Sequence, residues 1–229
     1  MDLSLFEQKT NLKFQNKELL RQAFTHRSYI NEHKKTKLGH NERLEFLGDA
    51  VLELVVTDFL YDKYKEATEG DMTSYRSALV NAVTLSEVGE KLKMGDYLLL
   101  SKGESKDKGR ARQFIIANTF EALVGAIFLD QGYDAAAKFI AENVFPLTEE
   151  IVGKKLWLDA KSHFQERAQE KEGETPEYRT LYEVGPDHDK HFTVAVFLDN
   201  VKIAEGEGKS KQEAEQAAAR NGLESKNWI

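Results

Sequence analysis

Three acidic side chains in the first quarter of the chain have the spacing of a shared helix face. Glu42, Glu45 and Asp49 are three and four residues apart, so in a helix they lie on the same side. Like charges at this spacing repel one another, and no lysine on that face interrupts them, although the surrounding sequence is strongly apolar. Because this arrangement lowers the stability of the helix, it indicates a compensating cation.

A second apolar segment, 117–126, carries side-chain oxygen atoms three residues apart, at Asn118 and Glu121. If the two helices pack side by side, both side chains are expected to meet Glu45 and Asp49. Ligand sets made only of oxygen suit hard cations, above all Mg²⁺, rather than Zn²⁺, and the lack of a Glu-x-x-His motif here is evidence against a di-iron bundle. The alternative is an ordinary solvated helix face. Spacing and composition do not identify a substrate.

The elements that must position these residues are helices. Apolar residues recur at three- and four-residue steps through most of 1–150, with the clearest stripe from Leu44 to Phe59. Asn41 stands where the N-cap of that helix is expected. Two polar segments, Glu69-Gly70-Asp71 and 101–109, have the composition of loops. The first part of the chain is therefore predicted to be all-helical.

The sequence pattern changes after about residue 153. A helix is predicted at about 159–171, and the residues from Phe192 to Leu198 then alternate with the period of two that is typical of a strand. Asp199-Asn200 is predicted to form a tight hairpin turn into the next strand. Ser210 and Glu213 match a capping box, which predicts the start of a last helix. The order of elements is α-β-β-β-α.

The composition excludes several classes of protein. The chain has 229 residues and no cysteine, which rules out a disulfide framework, a thiolate metal site and a cysteine nucleophile. The longest apolar stretch, near 122–129, is short for a membrane span, and the N-terminus lacks a secretory pattern, so a cytoplasmic protein without membrane contact is expected. A net charge of −7 restricts any nucleic-acid contact to a local basic patch.

The segment NERLEFLGDAVL at 41–52 resembles the hallmark sequence of the ribonuclease III family. THRSY, EGDMTSYRSALV and NTFEALVGAIFLD, at 25–29, 69–80 and 118–130, resemble family segments in the same order. PEYR, GPDHDKHFTV and GEGKSKQEAEQAAA, at 176–179, 185–194 and 206–219, resemble a double-stranded-RNA-binding domain. The resemblance implies a multidomain chain: an all-α ribonuclease III-type nuclease domain at 1–152, a linker at 153–156, and a small α+β (α-β-β-β-α) double-stranded-RNA-binding domain at 157–227.

The resemblance also implies an activity and a catalytic site. The activity is cleavage of both strands of double-stranded RNA by a homodimer, in the processing of ribosomal and other structured RNA precursors, with 5′-phosphates and short 3′ overhangs as products. Glu45, Asp49 and Glu121 would be catalytic metal ligands, and Asn118 stands at a fourth ligand position. The cofactor would be Mg²⁺, with Mn²⁺ able to substitute.

Three further residues match family positions around the cleft. Glu42 and Glu69 match acidic positions that support metal or substrate binding. Phe46 matches a position that packs into the partner subunit, and the alternative is an ordinary core aromatic. Two Mg²⁺ ions about 4 Å apart can supply both the attacking hydroxide and the stabilisation of the leaving oxygen. A histidine base is therefore not required, and structural or surface roles are expected for the histidines at 26, 33 and 40.

The second domain would read the shape of A-form RNA through three elements. The first is a polar face of the first helix, the second is the loop that follows Gly185-Pro186, and the third is the start of the last helix, where lysines lie beside free backbone N–H groups. Gln212 stands where the family often has a second, adjacent lysine, so modest and strongly salt-dependent affinity is expected. The predicted RNA-binding residues are Ser162, Gln165, Glu166, Gln169, His188, Lys190, Lys209 and Lys211.

Asn118 departs from the family pattern, which usually has Asp there. The amide oxygen can bind Mg²⁺, but the site loses one negative charge, which should weaken metal binding and slow hydrolysis. Asn118 is either a natural variant or a change that disables cleavage. The main alternative function is therefore a protein that binds double-stranded RNA with impaired cleavage. A third is a helical metal-dependent hydrolase of small nucleotides, which would not need the second domain.

Overall fold

The computed structural model describes residues 2–36, 38–107, 109–153, 159–186 and 190–228. The chain divides into two compact units, Met1–Trp157 and Leu158–Ile229, each with its own apolar core. Gly153, the first residue of the predicted linker, is the last residue of a helix. The rest of that linker lies outside the described residues, so the exact limits of the domains stay a prediction.

The first unit is helical, as predicted. Its described part contains nine α-helices, together with short 3₁₀ turns at Met94–Tyr97, Glu104–Lys106 and Phe145–Leu147. The helices are α1 (Ser4–Thr10), α2 (Lys17–Ala23), α3 (Arg27–Glu32), α4 (Glu42–Lys63), α5 (Glu69–Val80), α6 (Ala82–Lys91), α7 (Arg110–Gln131), α8 (Tyr133–Asn143) and α9 (Thr148–Gly153).

Two 22-residue helices, α4 and α7, form the centre of this unit. Their apolar residues supply much of the core, including Leu52 and Val56 from α4 and Phe120 and Leu123 from α7, all fully buried. In the described ranges, α7 alone is long and apolar enough to span a membrane. However, 61% of its most apolar stretch is buried in the protein, as expected for the central helix of a folded domain.

The start of α4 is where the sequence predicts it, whereas the start of α5 differs from the prediction. Asn41 occupies the predicted N-cap position of α4, but its side-chain oxygen makes no capping bond, and its side-chain N–H donates to the Ala23 carbonyl at 3.2 Å. The segment Glu69-Gly70-Asp71, predicted as a loop, is the first turn of α5. Thr68 caps this helix through a reciprocal pair of bonds with Asp71, at 3.2 and 3.1 Å. The polar composition of the segment 69–71 is therefore explained by a capping box and not by a loop.

The second unit has the predicted order α-β-β-β-α. Its elements are α10 (Ala160–Glu172), β1 (Glu177–Val184), β2 (His191–Leu198), β3 (Val201–Gly208) and α11 (Lys211–Ser225), and the antiparallel sheet has the order β1-β2-β3. Asp199 and Asn200 have φ of 43° and 60°, the left-handed conformations that a two-residue type I′ hairpin requires. Gly206 lets β3 approach α11, since a Cβ there would lie 2.0 Å from the Ala218 nitrogen.

Candidate functional site

The acidic helices α4 and α7 touch at two glycines. A Cβ on Gly48 would lie 1.8 Å from the carbonyl oxygen of Glu121, and a Cβ on Gly125 would lie 2.2 Å from that of Leu44. Only glycine fits at such a distance, so the backbones pack directly against each other. Gly48 immediately precedes Asp49, and Glu121 itself faces Gly48. The contact therefore fixes the acidic segments of the two helices side by side.

All four predicted catalytic residues interact in pairs around this contact. The Asn118 side-chain amide donates a hydrogen bond to the Glu45 carboxylate. The charges of Asp49 and Glu45 both act on Glu121, so these carboxylates are neighbours. Glu45, Asn118 and Glu121 are half-buried, whereas Asp49 is exposed. The four oxygen-bearing side chains therefore lie around one region at the surface of the helix pair.

The electrostatics of this region are those of uncompensated negative charge. Burial, together with repulsion from Asp49, Glu45 and Glu53, raises the pKa of Glu121 to about 8. The pKa of Glu45 is raised for the same reasons, burial first and the charge of Glu42 second, while the hydrogen bond from Asn118 opposes the rise. A partly buried carboxyl group surrounded by like charges favours a proton or a cation.

The chemistry of these side chains suits a hard divalent cation, but the side chains do not form a complete coordination site. Among the residues that the structure describes, no three Asp, Glu, His or Cys side chains lie close enough together to hold a metal ion. The four candidates offer only oxygen atoms, which Mg²⁺ prefers, and Mg²⁺ keeps several waters and needs few protein ligands. Glu45, Asp49, Asn118 and Glu121 are the side chains that would hold it, and their ligand roles stay a prediction.

Of the residues predicted to support this site, only Glu42 has an interaction with it in the described structure. Its charge raises the pKa of Glu45, and its carboxylate faces Arg27 and His40 at 3.5 and 3.7 Å. Glu69 begins α5 and accepts a hydrogen bond from Thr73 at 3.1 Å. It lines a groove between α4 and α5 with Thr57, Tyr61 and Arg76, among others.

Phe46 is 82% exposed. The alternative of an ordinary core aromatic is therefore wrong for the single chain. A large aromatic side chain in water is instead consistent with a position that is covered by a partner.

The histidines have the structural and surface roles that were expected. His26 is the N-cap of α3, and its Nδ1 accepts a hydrogen bond from the Ser28 N–H at 3.3 Å. His33 stacks on Tyr29, with ring centroids 4.1 Å apart. His40 lies at the entry to α4 beside Glu42.

The polar face of α10 is presented as the sequence predicts. Asp159 caps the helix by accepting a hydrogen bond from the Ser162 N–H at 2.9 Å. Four predicted RNA-binding residues are exposed on one side and line a shallow open groove: Ser162, Gln165, Glu166 and Gln169. Neutral amides and a hydroxyl can both donate to and accept from ribose 2′-hydroxyls. This face therefore offers suitable chemistry for a sugar edge.

The start of α11 carries exposed positive charge. Ser210 caps the helix by accepting from the Glu213 N–H at 3.2 Å, while the Glu213 carboxylate accepts from the Lys209 N–H at 2.9 Å. Lys209 and Lys211 are exposed, and the Lys211 ammonium lies 5.8 Å from the centre of the Phe192 ring. A capped helix start with two lysines is a natural site for a phosphate.

The two remaining predicted RNA-binding residues are Lys190 and His188. Lys190 forms an ion pair with Glu183 at 2.7 Å, so its charge is partly compensated. His188 lies outside the described residues.

Sequence comparisons place both units among known proteins. A family model described as "Ribonuclease-III-like" matches residues 16–147, and one described as "Double-stranded RNA binding motif" matches residues 160–226. The protein named Ribonuclease 3 from Oceanobacillus iheyensis is 45% identical over 228 residues, which cover 99% of each chain. Ribonuclease 3 from Bacillus licheniformis is 44% identical over 218 residues, which cover 95% of this chain and 87% of the relative.

A solved structure is similar to the first unit. The nuclease domain of ribonuclease III from Campylobacter jejuni is 38% identical, with a TM-score of 0.56, and the match covers 63% of this chain and 99% of that one. The description of that structure refers to flexibility in a region involved in dimer formation. A hydrolase of small nucleotides, one of the alternatives drawn from the sequence, does not explain the second unit.

Proposed function

This chain belongs to the ribonuclease III family and is an endoribonuclease, and from that premise we propose that it uses Mg²⁺ to cleave both strands of double-stranded RNA. The supporting observation is the direct contact of α4 and α7 at Gly48 and Gly125, which sets Glu45 and Asp49 beside Glu121. A site that carries excess negative charge at the protein surface needs divalent cations before an RNA phosphate can approach.

The protein's own contribution is to hold ligands in place. Glu45, Asp49, Asn118 and Glu121 would hold the cations, which supply an activated water and stabilise the leaving oxygen. Glu121 is held on a central helix whose backbone cannot shift without breaking the contact at Gly48. The hydrogen bond from Asn118 favours the charged form of the Glu45 carboxylate, which is the form that binds a cation. Ligands with fixed backbones reduce the reorganisation that is needed when the phosphate arrives.

The second unit would supply most of the affinity for the duplex. The exposed face of α10 matches the 2′-hydroxyls of an RNA minor groove, and Lys209 and Lys211 match phosphates. Recognition of this kind depends on A-form shape rather than on base sequence. Discrimination against duplex DNA and single-stranded RNA is therefore part of the proposal.

The finer features of the function follow the family. We propose a homodimer in which the exposed Phe46 is covered by the second copy, 5′-phosphate products with short 3′ overhangs, and Mn²⁺ as a possible substitute for Mg²⁺. Ribosomal and other structured RNA precursors in the cytoplasm would be the substrates. The cleaved ends can be mapped on a labelled hairpin, and products with 3′-phosphates would contradict this proposal.

The test of the activity compares RNA duplexes with matched controls. The unaltered chain is incubated in Mg²⁺ with an end-labelled RNA duplex, the same sequence as duplex DNA, and each single strand. We expect cuts only in duplex RNA, and only with the divalent ion. Glu45→Gln should abolish cleavage while duplex binding persists, because the second unit is unchanged. Equal cleavage of single strands, or cleavage by Glu45→Gln at the normal rate, would contradict the proposal.

A second candidate function rests on Asn118. If the missing charge prevents productive metal binding, the chain binds duplex RNA and cuts it inefficiently. The same assay separates the two candidates, since a mobility shift without cleavage in Mg²⁺ favours the binding protein.

A further inference from the structure

Arg27 is held at the edge of the carboxylate cluster by a short, well-anchored helix. The His26 N–H donates to the Leu99 carbonyl at 3.0 Å, and the Ser101 N–H donates to the Ser28 hydroxyl at 3.0 Å. At the other end of α3 the Glu32 carboxylate accepts from the Lys102 N–H at 3.1 Å. These bonds tie α3 to the segment 99–102. The backbone of Arg27 therefore has a defined position.

The Arg27 side chain points toward the acidic face of α4. One guanidinium nitrogen lies 3.5 Å from a carboxylate oxygen of Glu42. Glu42 is one helical turn before Glu45, on the same face. The other oxygen of Glu42 faces His40 Nδ1 at 3.7 Å. Glu42 thus lies between two groups that can carry positive charge. It holds the Arg27 guanidinium one helical turn of α4 away from Glu45, a predicted metal ligand.

This ion pair is a weak source of stability. The Arg27 and Glu42 side chains are 67% and 46% exposed, and the contact lies at the long limit for a hydrogen bond. Exposed pairs of this kind add little to the stability of a fold. A guanidinium has five N–H donors, and a single long contact engages only part of them. Most of the Arg27 donors are therefore available to a ligand at the edge of the cluster.

We propose that Arg27 binds a phosphate of the RNA backbone next to the cleaved bond, with Glu42 as the residue that positions it. The inference rests on the proposed function and extends it to a residue outside the predicted catalytic set. An RNA strand that approaches Glu45, Asp49 and Glu121 meets negative charge, and a cation at the rim offsets the repulsion on the neighbouring phosphate. Arginine suits this task because its planar fork matches two phosphate oxygens.

The experiment measures the salt dependence of catalysis on a duplex RNA in Mg²⁺. The ratio kcat/KM is determined from about 50 to about 200 mM KCl for the full chain and for Arg27→Gln, Arg27→Lys and Lys138→Gln. Lys138 is a matched control, because it is 70% exposed and paired with a glutamate, Glu142, on α8. Each variant is also made with Asn118→Asp, so that slow cleavage by the Asn118 site does not hide the effect. Thermal melting is recorded for all of them.

Arg27→Gln should lower kcat/KM roughly tenfold and reduce the slope of log kcat/KM against log [KCl] by about 1, the loss of one phosphate contact. Arg27→Lys should retain the slope and recover part of the rate, because the charge remains but the fork is lost. Lys138→Gln should change neither quantity. An unchanged slope in Arg27→Gln, or a loss of rate that merely follows a lower melting temperature, would overturn the inference.

Failure of the proposed function looks different from failure of this inference. If neither the natural chain nor Asn118→Asp cleaves duplex RNA, the proposed function fails. The salt dependence is then measured for the equilibrium binding constant of the same duplex. Equal slopes of log binding constant against log [KCl] for the full chain and Arg27→Gln reject the Arg27 contact. If cleavage is normal and the slopes agree, only the Arg27 contact is wrong.

Discussion

Replacing Glu121 by Gln should stabilise the metal-free protein at neutral and alkaline pH. The pKa of Glu121 in the folded chain is about 8, against an ordinary value of 4.5. Between these values the folded state holds a proton that the unfolded state has lost. The stability contributed by this proton is complete below pH 4.5 and is lost as the pH rises through 8. A neutral amide of the same shape avoids that loss.

The size of the effect follows from the pKa. At roughly 1.4 kcal/mol for each pH unit, ionisation of Glu121 costs on the order of 3 kcal/mol at pH 7 and about 5 kcal/mol well above pH 8. At about 2–4 °C per kcal/mol for a domain of this size, Glu121→Gln should melt roughly 6–12 °C higher than the natural chain at pH 7 in EDTA. Near pH 5 the two proteins should melt within a few degrees of each other.

The assay is thermal melting of both proteins in EDTA from pH 5 to pH 8.5, repeated in Mg²⁺. Glu142→Gln is the control, because it removes one carboxylate from an exposed position on a helix. Mg²⁺ should raise the melting temperature of the natural chain at pH 8, and raise that of Glu121→Gln much less, because the variant lacks a charged ligand. A difference between the proteins that stays constant with pH, or equal stabilisation of both by Mg²⁺, would refute the reasoning.

Three further predictions concern packing, assembly and RNA affinity. Gly48→Ala should destabilise the first unit by about 3 kcal/mol and abolish cleavage, because its Cβ would lie 1.8 Å from the Glu121 carbonyl oxygen. Gly70→Ala is the control, because the atom nearest to its Cβ would be 3.8 Å away. Stability in denaturant melts and the cleavage rate should both be nearly unchanged in this control. Phe46→Ala should shift sedimentation equilibrium toward the monomer with little loss of monomer stability, since the ring is 82% exposed, and a dimer of natural affinity would count against the proposed interface. Replacing Lys209 and Lys211 together by Gln should weaken duplex RNA binding and reduce its salt slope by about 2, and a slope that matches the natural chain in fluorescence anisotropy would remove both lysines from the RNA surface.

The sequence was sufficient to predict elements that have a strong periodic pattern. The apolar stripe from Leu44 to Phe59 identified the central helix α4, and the alternation from Phe192 to Leu198 identified the middle strand. The turn at Asp199-Asn200 was predictable because few residue types tolerate two left-handed conformations in succession. These features depend on local geometry, which neighbouring residues determine.

The sequence was less informative where a short polar segment or side chain had two possible roles. Glu69-Gly70-Asp71 has the composition of a loop, but Thr68 before it turns the segment into the capped start of α5. Asn41 lies at the N-cap of α4 as predicted, but its side chain bonds to the Ala23 carbonyl from another part of the chain and does not cap the helix. Such a competition between local and distant partners is decided by tertiary structure, which spacing alone does not contain.

The arrangement of the acidic residues within each helix was predictable from their spacing. Their approach across the two helices was predicted only on the assumption that the helices pack side by side. The shared face of Glu45 and Asp49 follows from their spacing, whereas their approach to Glu121 depends on the contact at Gly48 and Gly125. Glycines within two apolar helical segments were the available signal for that contact. Arg27 belongs to the THRSY segment, but spacing did not indicate its closeness to Glu42, which comes from the packing of α3 against 99–102.

The most direct test of the metal site is the rate of duplex RNA cleavage as a function of Mg²⁺ concentration, for the unaltered chain and for Asn118→Asp. The variant adds a fourth carboxylate beside Glu45 and Glu121, so it should reach half-maximal rate at lower Mg²⁺ and cleave roughly 10–100-fold faster. Both proteins should be inactive in EDTA. Cleavage that persists without a divalent ion, or identical Mg²⁺ curves for the two proteins, would contradict a metal centre built from these side chains.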